Sequence, residues 1–187
     1  MEVTEAQWQT LIRHTIAANS PSQGGRNAPD VVMLTLAALV GDVDRIGASH
    51  AEYKWGGPTV WSTWAITPSG LARVEATFEP EDYDALEDRQ RRRPGSFDKP
   101  VEPTALTAWM RPLTTATSFA VTRVYHKSWM DQVGAHTHFM PLEIELAFGA
   151  STERIGIDTW FDDQTKRDRW EEFVAAARAA VMGGVPA

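Results

Sequence analysis

Ala135-His136-Thr137-His138 is the stretch whose residue types and spacing could do chemistry, with His126 and Asp131 close by. Side chains two apart on an extended chain point to one side. Two imidazoles so placed can share a metal ion, which His126 or a carboxylate such as Asp131 could help complete. The spacing fixes no third ligand. Gly134 beside the pair signals a turn, so His136 and His138 read more simply as exposed polar residues near it, with His136, His138 and His126 kept as the candidate metal ligands.

The tryptophans offer binding chemistry instead. Eight are present, and Trp55, Trp61, Trp64, Trp109, Trp129 and Trp160 fall on or beside strand patterns. Trp61 and Trp64 are three apart, so a regular strand turns them to opposite faces. They cannot both line one barrel. At least one is exposed, or is covered by residues 1–41 or by a partner. Exposed aromatic patches mark binding surfaces.

Other chemistry is thin. Arg89, Arg91, Arg92 and Arg93 could hold phosphate groups. The acids Glu81, Asp82, Asp84, Glu87 and Asp88 neutralise that run locally, and Glu87→Arg91 and Asp88→Arg92 are favourable i,i+4 pairs, so it also reads as a solvated, ion-paired helix. Thr67-Pro68-Ser69-Gly70 is a turn, not a nucleophile elbow. Gly24-Gly25 lacks the Lys-Ser or Lys-Thr of a phosphate-cradling loop. Glu143 and Glu145 share a strand face, where alternation makes them solvent-side residues.

Composition narrows the classes. With no Cys there are no disulfides, thiolate catalysis or Cys-ligated zinc. A net charge of −7 disfavours general attraction to nucleic acid or anionic lipid. No apolar run approaches the roughly 18 residues of a membrane span. The acidic start, Met1-Glu2-Val3-Thr4-Glu5, lacks the basic opening of a signal peptide, so a cytoplasmic location is expected. Fourteen Arg against four Lys, with plentiful Ala, Gly and Pro, point to a GC-rich bacterial genome.

The elements that must position these residues are clearest at the end of the chain. Leu142, Ile144, Leu146 and Phe148 alternate with Glu143, Glu145 and Ala147, the signature of a half-buried strand. Gly149-Ala150-Ser151 turns the chain. Ile155, Ile157, Thr159 and Phe161 form a second alternating set. Asp162 and Asp163 sit where a helix N-cap belongs. Trp170, Phe173, Val174, Ala177 and Val181 follow at helical spacing, and Gly183-Gly184 stops the helix. Its apolar stripe needs a cover, and the preceding sheet is the nearest apolar surface.

Upstream, Thr4 and Gln7 form a capping box before Trp8, Leu11, Ile12 and Ile16. Asn19–Ala28 reads as a loop. Val31–Val40, closed by Gly41, reads as a helix, with a buried strand as the alternative. Arg45–Trp55, Val60–Thr67 and Leu71–Phe78 read as a three-stranded meander with turns at Gly56-Gly57 and Pro68-Ser69-Gly70. A short helix opening at Pro80 precedes the stop at Pro94-Gly95. Strands resume near Ala105–Met110 and Thr117–Tyr125.

About seven strands, an inserted helix and a terminal amphipathic helix give an α+β chain. Residues 1–41 form an N-terminal helical extension, and residues 42–187 a β-rich domain. The hairpin phrase Trp64-Ala65-Ile66-Thr67-Pro68-Ser69-Gly70-Leu71-Ala72-Arg73-Val74, with Trp170-Glu171-Glu172-Phe173 in the last helix, resembles the pleckstrin-homology superfold over residues 43–182. That resemblance implies a bent antiparallel barrel or sandwich whose open end the last helix plugs. Inositol-phosphate binders of that superfold mostly use basic residues of the first hairpin. Here that turn offers only Lys54.

With no catalytic motif, many aromatics and an acidic charge, the expectation is a non-enzymatic protein-binding module without a cofactor. An acidic chain suits a basic partner. Two alternatives stay open. One is a small-molecule or enzymatic pocket lined by Trp64, Trp109 or Trp160 with His126, His136 or His138 as polar groups. The other is self-association.

Overall fold

Thr4 caps the first helix. Its hydroxyl accepts from the Gln7 N–H at 3.3 Å, and Gln7 Oε1 accepts from the Thr4 N–H at 3.1 Å. This reciprocal pair satisfies donors that the first turn leaves unpaired. Helix α1 follows over Glu5–Thr15. The structure, a computed structural model, describes residues 3–17, 27–54, 56–79, 83–130, 133–157 and 163–183. Helix α2 spans Asp30–Val40, where the strand alternative gives way. Val32, Met33, Leu36 and Ala37 are its buried residues, a three-four spacing that only a helix presents to one side.

Val43–Arg45 forms a single 3-10 turn, capped by Asp42 accepting from the Asp44 N–H at 3.1 Å. Strand β1 therefore begins at Ala48 and runs to Lys54. Strand β2 spans Thr59–Thr67 and β3 Gly70–Phe78. Helix α3, Ala85–Arg91, precedes β4, Ala105–Arg111. Asp84 caps α3 through the Leu86 and Glu87 N–H groups, and Pro80 lies outside the described residues.

The chain divides into two compact units, Met1–Arg111 and Pro112–Ala187. The first holds an antiparallel sheet in the order β1-β2-β3-β4. Helix α1 lies against β1, and α2 against β2, β3 and β4. Leu11, Met33, Leu36, Trp61, Val74 and Phe78 share its buried core. Residues expected as an N-terminal extension thus supply the two helices that cover one face of this sheet.

The second unit opens with a 3-10 turn at Leu113–Thr115. Strands β5 (Ser118–Met130), β6 (Ala135–Phe148) and β7 (Ser151–Gly156) form an antiparallel sheet in that order. Helix α4, Gln164–Val181, is capped by Asp163, whose carboxylate accepts from the Lys166 N–H at 3.0 Å. Asp162, Thr159 and Phe161 lie outside the described residues. Trp170, Phe173, Val174 and Ala177 are buried, and α4 lies against the Leu113–Thr115 turn, β5 and β6. The apolar stripe read from spacing is therefore the packed one.

The fold is α+β: among the described residues there are four α-helices, and seven strands in two antiparallel sheets. In place of a closed barrel, the described strands form two open sheets, each with two edges. Among the described residues no helix is long and apolar enough to cross a membrane.

Gly156 ends β7 opposite Glu143. A Cβ there would stand 2.9 Å from the Leu142 carbonyl oxygen and 3.1 Å from Glu143 Cγ. Backbone must move to admit it, so Gly156→Ala is expected to cost about 1–3 kcal/mol, read as a lower urea midpoint. An unchanged midpoint would show that the β6–β7 approach is looser than this.

Candidate functional site

Among the described residues, strand β7 pairs with β6 from Phe148 back to Glu143, and the Ile157 N–H adds a bond to the Leu142 carbonyl at 2.8 Å. Strands β5 and β6 continue together past that point for seven residue pairs, from Val124 opposite Pro141 to Met130 opposite Ala135. The result is a two-stranded ribbon about 24 Å long at 3.4 Å per residue. Pro141 lies next to Leu142, whose carbonyl accepts from the Ile157 N–H at 2.8 Å. A bulge between Val121 and Val124 shifts the register where the ribbon begins.

Directly opposed residues share a face, and period two sorts the rest. One face of the ribbon carries Val124, Pro141, His126, Phe139, Ser128, Thr137, Met130 and Ala135. Val124 is 54% exposed, Phe139 71% and Met130 81%, so the large apolar groups of this face lie in solvent. Ser128 and Thr137 bridge the strands through their hydroxyls at 3.0 Å. The other face carries Tyr125, Met140, Lys127, His138 and His136. Between Val124 and Met130, and again between Val133 and Pro141, there is no acidic residue.

This register places the sequence-derived histidines. His136 and His138 share one face, as their spacing requires, while His126 pairs with Phe139 on the other. Among the described residues no three His, Asp or Glu gather in a metal-ligand grouping. Asp131 lies outside the described residues.

The tryptophans separate by face as their spacing demands. Trp61 is fully buried in the core under the helices. Trp64 is buried on the opposite face of the sheet. Trp109 is half-buried on β4, and Trp129 lies on β5 with its side chain outside the described set. Trp55 and Trp160 lie outside the described residues.

Trp64 belongs to a row that spacing alone does not reveal. His50, Trp64, Arg73 and Trp109 stand directly opposite one another across β1 to β4. The His50 and Trp64 rings stack with centroids 5.8 Å apart, and the Arg73 guanidinium carbon lies 5.7 Å from the Trp64 centroid. Arg111 packs on Trp109 at 4.4 Å. The next row matches charges internally. Glu75 accepts from Arg73 at 2.6 Å and from Ser62 at 3.0 Å, and Glu52 lies 3.6 Å from Lys54 and 3.7 Å from His50. Half of this ladder was readable: Pro68-Ser69 as the two-residue turn puts Trp64 opposite Arg73. Trp109 was not, because no short turn joins β3 to β4.

The arginine run is tied to acids. Arg89 binds Asp30 at 2.8 Å, Arg91 binds Glu87, and Arg92 binds Asp88 at 2.8 Å. Asp88 also accepts from the Tyr83 hydroxyl and the Val101 N–H, each at 2.7 Å. Burial alone would raise its carboxyl. The bonds from Arg92, Tyr83 and Val101 outweigh that and hold it below the ordinary value of 3.8. Burial, then the bond to Asp88, pushes the Tyr83 hydroxyl far above its usual range. These contacts organise α3 and its flanks. Comparison with family models, curated proteins and solved structures returned no match to this chain.

Proposed function

We propose that this chain is a non-enzymatic protein-binding module that presents the β5–β6 ribbon to its partner. The observation that carries this reading is Val124, Phe139 and Met130, exposed together on one ribbon face past the last described β6–β7 pair. Exposed apolar groups on one face of a projecting element are what a partner groove would cover. The whole chain is acidic, which suggested a basic partner, but residues 124–141 carry one Lys, Lys127, one acid, Asp131, and three His. An apolar groove is the complementary surface.

The order of elements supports the pleckstrin-homology-like reading of residues 43–182. Four antiparallel strands, three antiparallel strands and a terminal amphipathic helix follow one another as that superfold would have them. Helices α1 and α2 would be an addition to it. Fold alone does not supply a ligand, so the binding reading rests on the ribbon.

A photo-reactive residue at Phe139, with one at exposed Glu171 on α4 as control, tests this in the native cell. The expected result is one discrete covalent adduct with another protein from position 139 and none from 171. Excess unmodified protein should remove it, and an excess of the Val124→Asp/Phe139→Asp variant should not. Adducts that are absent, or the same at both positions, refute the reading. An adduct of twice the chain's own mass would replace the partner by self-association.

A further inference from the structure

We infer that β4 is a self-pairing edge, through which two copies of this chain join their four-stranded sheets into one of eight strands. Strand β4 is the last in its sheet, and among the described residues no strand pairs with its outer edge. Ala105, Leu106, Thr107 and Ala108 are all exposed. An open edge offers a row of N–H and C=O groups whose natural occupant is another extended strand. Chains usually blunt such an edge with a Lys, a Pro, a bulge or an inward charge. Ala105-Leu106-Thr107-Ala108-Trp109-Met110-Arg111 has none of these within its first six residues, and the prolines, Pro103 and Pro112, lie just outside it. The β3–β4 register runs without a shift.

The strand is complementary to itself. An antiparallel pair centred on Ala108 places Ala105 opposite Arg111 of the second copy, Leu106 opposite Met110, and Thr107 opposite Trp109. No like charges meet. Arg111 faces a neutral residue, with exposed Glu102 three residues before Ala105 on the side it approaches. The same register keeps faces consistent. Leu106, Ala108 and Met110 share the face of Trp61, Val74 and Ala72, through Ala76↔Leu106, Val74↔Ala108 and Ala72↔Met110. Leu106, 45% exposed in a single copy, is then covered by Met110 of the second copy. A slip of one residue would set Leu106 against the side of Trp109 and break the apolar layer. Seven residue pairs lie at the small end of specific interfaces, below about 1,200 Å² in total, so the dimer should dissociate on dilution. The inference stands independently of the ribbon.

The absence of Cys makes the test clean. In this register the two Ala108 Cα atoms face each other at about 4.5–5.5 Å, within disulfide reach. The two Ala105 positions lie six residues apart along the strands. Mild oxidation of Ala108→Cys at micromolar concentration should therefore give a covalent dimer, and Ala105→Cys should not. Sedimentation should show wild type shifting from monomer to dimer as concentration rises. Ala108→Lys and Ala108→Glu should each stay monomeric where wild type dimerises, and a mixture of the two should restore the dimer. A folding defect cannot produce that rescue. A wild type that is monomeric throughout, equal cross-linking at both positions, or a dimer that survives both charged variants would overturn the inference. A dimer lost instead on Val124→Asp/Phe139→Asp would assign self-association to the ribbon.

Discussion

Asp88→Asn should unfold at markedly lower urea than wild type, at a cost of about 2–4 kcal/mol at neutral pH. The carboxylate is 2% exposed and takes three donors from three segments: Tyr83 before α3, Arg92 at its end, and Val101 beyond the connection. An Asn amide supplies one acceptor oxygen and one donor nitrogen. Turned one way, its NH2 meets the Val101 N–H. Turned the other way, it meets Arg92, which cannot accept. Each buried group left unmatched costs about 1–3 kcal/mol. Arg92 is partly exposed and can turn to water, which keeps the sum below the full price of a broken buried pair.

The pH dependence follows from the sign of the shift. The folded carboxyl titrates below its ordinary value of 3.8. Its contribution is therefore complete above that value and is lost as pH falls through the folded one. The gap between wild type and Asp88→Asn should be constant near neutrality and narrow only in strong acid. A gap that ignores pH, or no gap at all, would mean that the three donors find other acceptors. The consequence reaches the proposed interface. Asp88 anchors Val101, and Thr104 then ties to the Thr77 carbonyl through both its N–H and its hydroxyl, at 2.7 and 3.1 Å, one residue before β4 starts. Freeing this connection should weaken self-pairing at β4 more than its distance from Ala108 suggests.

Where one face is buried, residue order announced the structure. Leu142–Leu146 alternates because α4 and its neighbours cover one side of β6. Thr4 with Gln7, and Asp163, announced their helices because a cap is a local bond that needs no tertiary context. The ribbon escaped for the same reason inverted. Residues 124–130 and 133–141 expose both faces along most of their length, so nothing enforces alternation, and β5 and β6 run farther than Tyr125 and Leu142 implied. Arg45 read as strand because a three-residue 3-10 turn has no periodicity of its own. The site was half visible. Histidine spacing set His136 and His138 on one face, but only cross-strand register puts His126 with Phe139, and register beyond a short turn is a tertiary fact. The pairing of Trp109 with Arg73 depends on a connection of more than twenty residues and could not be read ahead of the sheet.

Trp170 carries the second large effect, since it joins the best-marked element of the chain to the base of the ribbon. Its side chain is 1% exposed, its ring stacks with Phe173 at 6.0 Å, and its indole N–H donates to the Pro141 carbonyl at 2.6 Å. Trp170→Ala removes the largest buried group of α4 and should cost about 3–5 kcal/mol in thermal or urea unfolding. Trp170→Phe separates packing from anchoring. Most of the apolar contact survives, but the Pro141 carbonyl loses its donor, for a cost of about 1–3 kcal/mol. Pro141 lies at the base of the ribbon, opposite Val124, so this bond pins the strand just past its last described pair with β7. Amide exchange in Trp170→Phe should therefore quicken between residues 124 and 141 while the paired segment 143–148 stays protected. Uniform quickening across β6 would instead make Trp170 a packing residue alone. Equal exchange and stability in wild type and Trp170→Phe would remove the anchor from the account of how the base of the ribbon is held.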